Sequence, residues 1–239
     1  MSKSIIEAKH ITKSFHNGLR LQTVLSDVSV AVAQGEFLIV MGRSGAGKST
    51  LLYQMGLLDH PTSGTVIIEG KDTSELESDV RTRFRLMELG YVFQDYALVP
   101  ELTASENIML PLMMKGHSRS KALSGAVAAL DVVGIGAKAH NLPAQLSGGE
   151  QQRVSVARAI AGTPKIIFAD EPTANLDSES SAKVIDMFIE LNRKGQTIVM
   201  VTHEEEYAKH AHRVVTLRDG VIVSEVRNRE VDTKRTINN

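Results

Sequence analysis

The chain has 239 residues, 42% hydrophobic and 23% charged, enough for one large globular domain or a main domain with an attached lobe. Its 27 Lys and Arg against 28 Asp and Glu leave a net charge of −1, which excludes a global basic field for holding nucleic acid or an anionic membrane. Cysteine is absent, which excludes disulfides and thiolate metal sites and fits a reducing compartment.

The opening MSKSIIEAKH lacks the long apolar run of a signal peptide. No apolar run approaches the roughly 18–20 residues of a membrane span, so any action at a membrane is expected to go through a partner. The first thirty-odd residues read as strands of antiparallel character. Phe37–Met41 (FLIVM) is an apolar run without polar alternation, the pattern of a strand buried on both faces of a parallel sheet.

That run leads into GRSGAGKST, which fits G-x-x-x-x-G-K-[ST] with Gly42, Gly47, Lys48 and Ser49 at the fixed positions. The candidate phosphate-binding residues are Gly42, Arg43, Ser44, Gly45, Ala46, Gly47, Lys48, Ser49 and Thr50. Backbone N–H groups of such a loop wrap a phosphate. Lys48 would neutralise the β- and γ-phosphates, and Ser49 would ligate Mg2+. An ordinary glycine-rich strand-to-helix turn is the plain alternative. The buried strand before the loop and a helix from Lys48 to about Leu57 after it favour phosphate binding.

Thr65–Glu69 (TVIIE) reads as another antiparallel strand, with glycine on both sides. Arg81, Arg83 and Arg85 in RTRFR read as a solvated helical face. From Tyr96 to Ala144 the pattern turns helical, with Ala122, Leu123, Ala126, Val127 and Leu130 at helical spacing and serine caps upstream. The methionine-rich run Met109–Met114, interrupted by Pro111, reads as core sooner than as interface.

In QLSGGEQQR, Ser147 and Glu150 fit the capping box S-x-x-E at the start of a helix running through Ile160. A cap alone needs no glycine pair. Gly148 and Gly149 bare the first N–H groups, which suits a close-fitting anion. Ile166–Ala169 (IIFA) is a second buried-strand run and ends in Asp170 and Glu171. Asp170 would hold Mg2+ through water, and Glu171 would aim at a water in line with the γ-phosphate. A helix cap and a solvated acid before Pro172 are the alternative. The third run, Ile198–Val201 (IVMV), ends in Thr202 and His203. Ligands of open α/β sheets sit beyond the carboxyl ends of strands, so the three endings are expected to converge. His210 and His212, spaced H-x-H, have no nearby ligands to make a metal site. Val214–Leu217 and Val221–Val223 form an expected hairpin around Asp219 and Gly220, and a polar, frayed tail follows.

Together, GRSGAGKST, LSGGEQQR, ADEPTANLD and the histidine of VTHE resemble the ATP-binding-cassette family of nucleotide-binding subunits, over about Ile5 to Val223. The resemblance implies an α/β fold: a P-loop NTPase core with a mainly parallel sheet, an antiparallel β subdomain and an inserted α-helical subdomain. It implies a single cassette over 1–239, with core and β subdomain in 1–95 and 146–225, helices in 96–145, and a tail in 226–239. Two copies would pack head to tail around two ATP, each phosphate loop sharing its nucleotide with the signature helix of the other copy. That explains why one chain carries two phosphate cradles.

By the same resemblance, Gln94 in YVFQD would reach Mg2+ and the attacking water, and Asp177 in NLD would link the two sites. His203 would hydrogen-bond the γ-phosphate. Phe15 in ITKSF would stack on adenine where the family more often keeps tyrosine. Without the resemblance, these read as a surface glutamine, a helix N-terminal charge, a structural histidine and a core residue. Arg43 departs from the small residue or proline usual there. The implied activity is ATP hydrolysis coupled to an integral membrane permease, at the cytoplasmic face of the inner membrane and without nucleic acid. MGLLDHPTSG and the stretch around YVFQDYALVP resemble the branch of lipoprotein-releasing, macrolide- or peptide-exporting and cell-division complexes. Force transmission without transport, and a soluble ATPase of the family, are the alternatives. A chromosome ATPase would need a coiled coil between loop and signature, and a translation factor would need tandem cassettes.

Overall fold

The computed structural model describes residues 4–18 and 20–228. In chain order the elements are β1 (Ser4–Asn17), β2 (Arg20–Ala33), β3 (Phe37–Met41), α1 (Lys48–Met55), β4 (Ser63–Ile68) and β5 (Lys71–Asp72). Then come α2 (Ser78–Glu88), β6 (Leu89–Val92), α3 (Ala104–Met114), α4 (Arg119–Val132) and α5 (Gly148–Ala161). The chain continues with β7 (Ile166–Asp170), α6 (Ser178–Arg193), β8 (Thr197–Val201), β9 (Arg213–Arg218) and β10 (Val221–Arg227). Two compact units result. One takes the described residues up to Arg81 and from Asn192 on, and the other is Thr82–Leu191.

The first unit holds two strand groups. β2, β1, β4 and β5 form an antiparallel sheet in that order. β3 pairs in parallel with β8 on one side and β9 on the other, and β10 closes the antiparallel hairpin expected around Asp219 and Gly220. Phe37 to Val40 and all of β8 are buried, as their unbroken apolar runs require. β10 carries on past residue 225 to Arg227, because its backbone keeps pairing to Arg213. The rest of the expected tail, from 229 on, lies outside the described residues.

Arg81 is not a solvated face residue. It is 3% exposed, and its guanidinium donates from Nε to the Leu57 carbonyl at 3.2 Å and from a terminal nitrogen to the Asp59 carbonyl. The segment after α1 turns at Leu57, whose φ of +60° ends the helix at Met55, short of the expected Leu57. Arg81 satisfies the carbonyls that this turn leaves behind. Arg81→Met keeps the volume but strips two charged donors, so stability should fall by about 2–3 kcal/mol. A urea midpoint unchanged from the parent chain would contradict that role.

In the second unit β6 and β7 pair in parallel, and every residue of β7 is buried. Tyr91 stacks on Phe168 with ring centroids 5.9 Å apart. α3 opens on a Thr103–Glu106 capping box and α4 on Ser118, one of the serines upstream of the helical spacing. The methionine-rich run divides by helical phase. Met109 and Leu112 are buried, while Leu110, Met113 and Met114 are exposed. Among the described residues no helix is long and apolar enough to cross a membrane.

Candidate functional site

In the first unit the phosphate-loop segment leaves the carboxyl end of β3 and opens α1. Gly47 is the N-cap of α1 with φ +98°, and no side chain caps the helix there. A Cβ at Gly47 would stand 2.9 Å from both the Val24 carbonyl oxygen and Leu25 Cδ2, so sterics and backbone conformation both demand glycine. The first turn of α1 also lacks an acid, whereas Thr103, Ser118 and Ser147 cap α3, α4 and α5. A helix N-terminus whose cap residue has no side chain, and whose first turn has no acid, is the kind of donor set an external phosphate fits. Lys48 is 5% exposed, and its ammonium reaches back across the loop to the Arg43 carbonyl at 3.2 Å. Arg43, Ser44 and Gly45 are exposed, Ala46 is buried, and Ser49 and Thr50 are half-buried.

The loop rests on a support that spacing did not reveal. Gly220, in the β9–β10 turn, donates its N–H to the Ala46 carbonyl at 3.2 Å, and its own carbonyl accepts from Ser26 at 2.9 Å. His203 follows β8, which runs parallel to β3 with Val40 opposite Val201. Phosphate loop and histidine therefore leave the same strand edge. The His203 ring is 55% exposed, with Nε2 3.9 Å from the Glu204 carboxylate. Phe15 is 43% exposed, which a core role does not allow, and it pairs with Gln22 of β2, the strand whose Val24 stands against Gly47.

In the second unit, Val92 of β6 lies opposite Ala169 of β7, so Gln94 and the Asp170–Glu171 pair leave one edge of that parallel pair. Asp170 is 7% exposed. Glu171 sits at φ +43°, a left-handed conformation that costs a non-glycine residue on the order of 1–3 kcal/mol. Gln94 is exposed, and its carbonyl accepts from Asn175 Nδ2 at 3.0 Å. Among the described residues no three His, Cys, Asp or Glu gather into a metal cluster. Magnesium is commonly held by one or two protein groups and completes its shell with water and phosphate oxygens, a demand that the Ser49 hydroxyl in the first unit and the Asp170 carboxylate in the second each suit chemically.

The capping box on α5 has the geometry its sequence implies. Ser147 Oγ accepts from the Glu150 N–H at 3.3 Å, and the Glu150 carboxylate accepts from the Ser147 N–H at 2.9 Å. That backbone bond is the main reason the Glu150 carboxyl titrates below its ordinary value. The glycine pair also has a packing cause. A Cβ at Gly149 would stand 2.5 Å from Ser180 Oγ, and one at Gly148 would stand 2.8 Å from the Tyr96 hydroxyl. Asp177 caps α6, accepting from the Ser180 N–H at 2.9 Å and its hydroxyl at 2.8 Å, and the backbone bond holds its carboxyl low.

Two residues absent from the sequence reading organise this half. Gln152 is fully buried, and its Nε2 donates to the Pro172 carbonyl at 2.7 Å and the Phe93 carbonyl at 3.3 Å. The signature helix thereby ties together the segments carrying Glu171 and Gln94. Arg158 donates to the carbonyls of Tyr96 and Ala97, consecutive residues at φ +63° and +48°. Helical phase was the available signal: Gln152 falls on the same face as Val156 and Ala159, both buried. His212 serves the fold, its Nδ1 accepting from the Phe37 N–H at 3.0 Å.

Comparison with known proteins follows the same lines. The family described as "ABC transporter" matches residues 25–174. The lipoprotein-releasing system ATP-binding protein LolD of Aquifex aeolicus is 44% identical over 222 residues, 93% of this chain and 97% of that protein. The macrolide export ATP-binding/permease protein MacB of Burkholderia pseudomallei is 42% identical over 232 residues, 97% of this chain but 36% of that protein. A solved dimer of the ATP-binding cassette MJ0796, in a post-hydrolysis state with ADP and Pi, superposes with a TM-score of 0.88 at 39% identity. It covers 93% of this chain and 98% of that one.

Proposed function

The chain belongs to the ABC transporter family of ATP-binding subunits, and from that premise we propose that it hydrolyses ATP to drive a membrane permease, by closing and reopening a pair of its own copies. The observation that carries this is the contrast between two helix N-termini. α1 opens behind the phosphate loop without a side-chain cap, and α5 opens capped but with glycines at its first two positions. One suits the phosphates of the chain's own nucleotide. The other suits the terminal phosphate of a second copy's nucleotide. MJ0796, similar over most of its length, is described as a dimer with ADP and Pi.

ATP is taken with its base on Phe15 and its phosphates on residues 42–50, with Lys48 neutralising the β- and γ-oxygens. Mg2+, when bound through Ser49, Asp170 and Gln94, supplies charge neutralisation on the phosphates. Ser147, Gly148 and Gly149 of the second copy donate to the γ-phosphate. His203 donates to it from the chain's own side, and Asp177 links the two sites. Glu171 takes a proton from the attacking water, oriented with Gln94. Loss of the γ-phosphate removes the anion that both helix ends hold, so the pair reopens.

The names of LolD and MacB, a lipoprotein-releasing system and a macrolide exporter, support an export or lipoprotein-release type of partner. The chain acts peripherally, at the cytoplasmic face of the inner membrane, through an integral permease. Affinity capture of the full chain from detergent-solubilised membranes should bring down a multi-span protein. Ribosomes or nucleic acid in its place would reject the transport reading.

A further inference from the structure

Lys13 and Phe15 alternate along β1, so their side chains stand on one face of the sheet. The Lys13 ammonium lies over the Phe15 ring, 4.9 Å from its centroid. It is not a swinging surface cation. Its side chain is 12% exposed, and it is bound to both carboxylate oxygens of Asp59, at 2.8 and 2.7 Å, and to the His60 carbonyl at 2.7 Å. The Asp59 carboxylate also accepts from Gln54 Nε2 at 3.1 Å, and Gln54 belongs to α1, the helix the phosphate loop opens. Burial works to raise the Asp59 carboxyl, but bonds from Lys13, the His60 N–H and Gln54 outweigh it and hold the group ionised. Contacts thus run unbroken from the phosphate-loop helix, through Asp59 and Lys13, to the Phe15 ring.

This matters because the ring is phenylalanine. It has no hydroxyl to fix its orientation, and 43% of the residue is exposed. Building on the reading of Phe15 as the base platform, we propose that Lys13 is a positioning residue for the purine. Its ammonium, pinned by Asp59 and His60, backs one face of the Phe15 ring and presents the other to the base, in fixed relation to the phosphate loop. A cation over an aromatic face is attracted by the ring quadrupole. Holding the ring beforehand removes the ordering cost that binding would otherwise meet.

The test separates base recognition from phosphate recognition in the full chain. Lys13→Met should weaken MgATP binding roughly tenfold. Binding of magnesium tripolyphosphate, which has the phosphates and no base, should change by less than about twofold. Lys13→Arg keeps a cation able to pair with Asp59 and lie on a ring, and should stay within about threefold of the parent chain. In a Phe15→Ala background, Lys13→Met should have no further effect, because the two act as one unit. Equal loss of ATP and tripolyphosphate affinity, or a loss undiminished in the Phe15→Ala background, overturns the proposal. If Phe15→Ala weakens ATP binding and Lys13→Met does not, the role of Lys13 alone falls. If Phe15→Ala leaves ATP affinity unchanged, the base platform falls and Lys13 with it.

Discussion

Glu171→Gln should lower ATP turnover by ~10²-fold or more and leave ATP binding intact. The substitution is isosteric, so what it removes is the ability to accept a proton. Asp170, the last residue of β7, stays buried beside it, and the left-handed backbone at position 171 is set by the turn that follows, where the Ala174 N–H donates to the Glu171 carbonyl at 3.2 Å. Nothing in the phosphate loop changes. With hydrolysis blocked, the γ-phosphate that joins two copies persists, and gel filtration in MgATP should show a stable dimer. Normal turnover with only monomer present would remove Glu171 from the chemistry. Loss of ATP binding would instead point to collapse of the strained turn, whose conformation stores on the order of 1–3 kcal/mol.

The parts of this structure that sequence exposed are those whose cause is local. FLIVM, IIFA and IVMV are strands because four or five consecutive apolar residues have no polar face to show water. The Ser147–Glu150 box is legible because both partners lie within one helical turn. Asp219 and Gly220 turn the last hairpin because both can sit at positive φ, +49° and +78°. What stayed hidden is nearly all of one kind, a long side chain donating to a distant backbone carbonyl. Arg81 reaches Leu57, Gln152 reaches Pro172, and Arg158 reaches Tyr96. Every residue carries a carbonyl, so the acceptor leaves no mark in the sequence. The donor looks like any other charged or amide residue on a helix. Arg81 reads as solvated for this reason. The glycines of the signature were legible as glycines, but only the structure shows Ser180 and Tyr96 standing where their Cβ atoms would go.

Ser147→Arg should abolish turnover while leaving the ATP affinity of the monomer within about twofold, because the serine is proposed to serve the other copy's nucleotide. Losing the cap costs the helix about 1 kcal/mol, too little to unfold α5, which stays anchored by buried Gln152, Val154, Val156 and Ala157. An arginine there fills the space before the exposed N-terminus, where a γ-phosphate would have to lie. Lys48→Ala should also be inactive, for the complementary reason that it spoils the chain's own phosphate loop. Mixing the two inactive proteins is the decisive measurement. A mixed pair holds one site built from the intact loop of the Ser147→Arg copy and the intact signature of the Lys48→Ala copy. Half the pairs in an equal mixture are mixed, each with one sound site of two, so about a quarter of parental turnover should return if the sites act independently. No recovery, with mixed pairs demonstrated by differential tagging, would mean that loop and signature of one chain serve the same nucleotide.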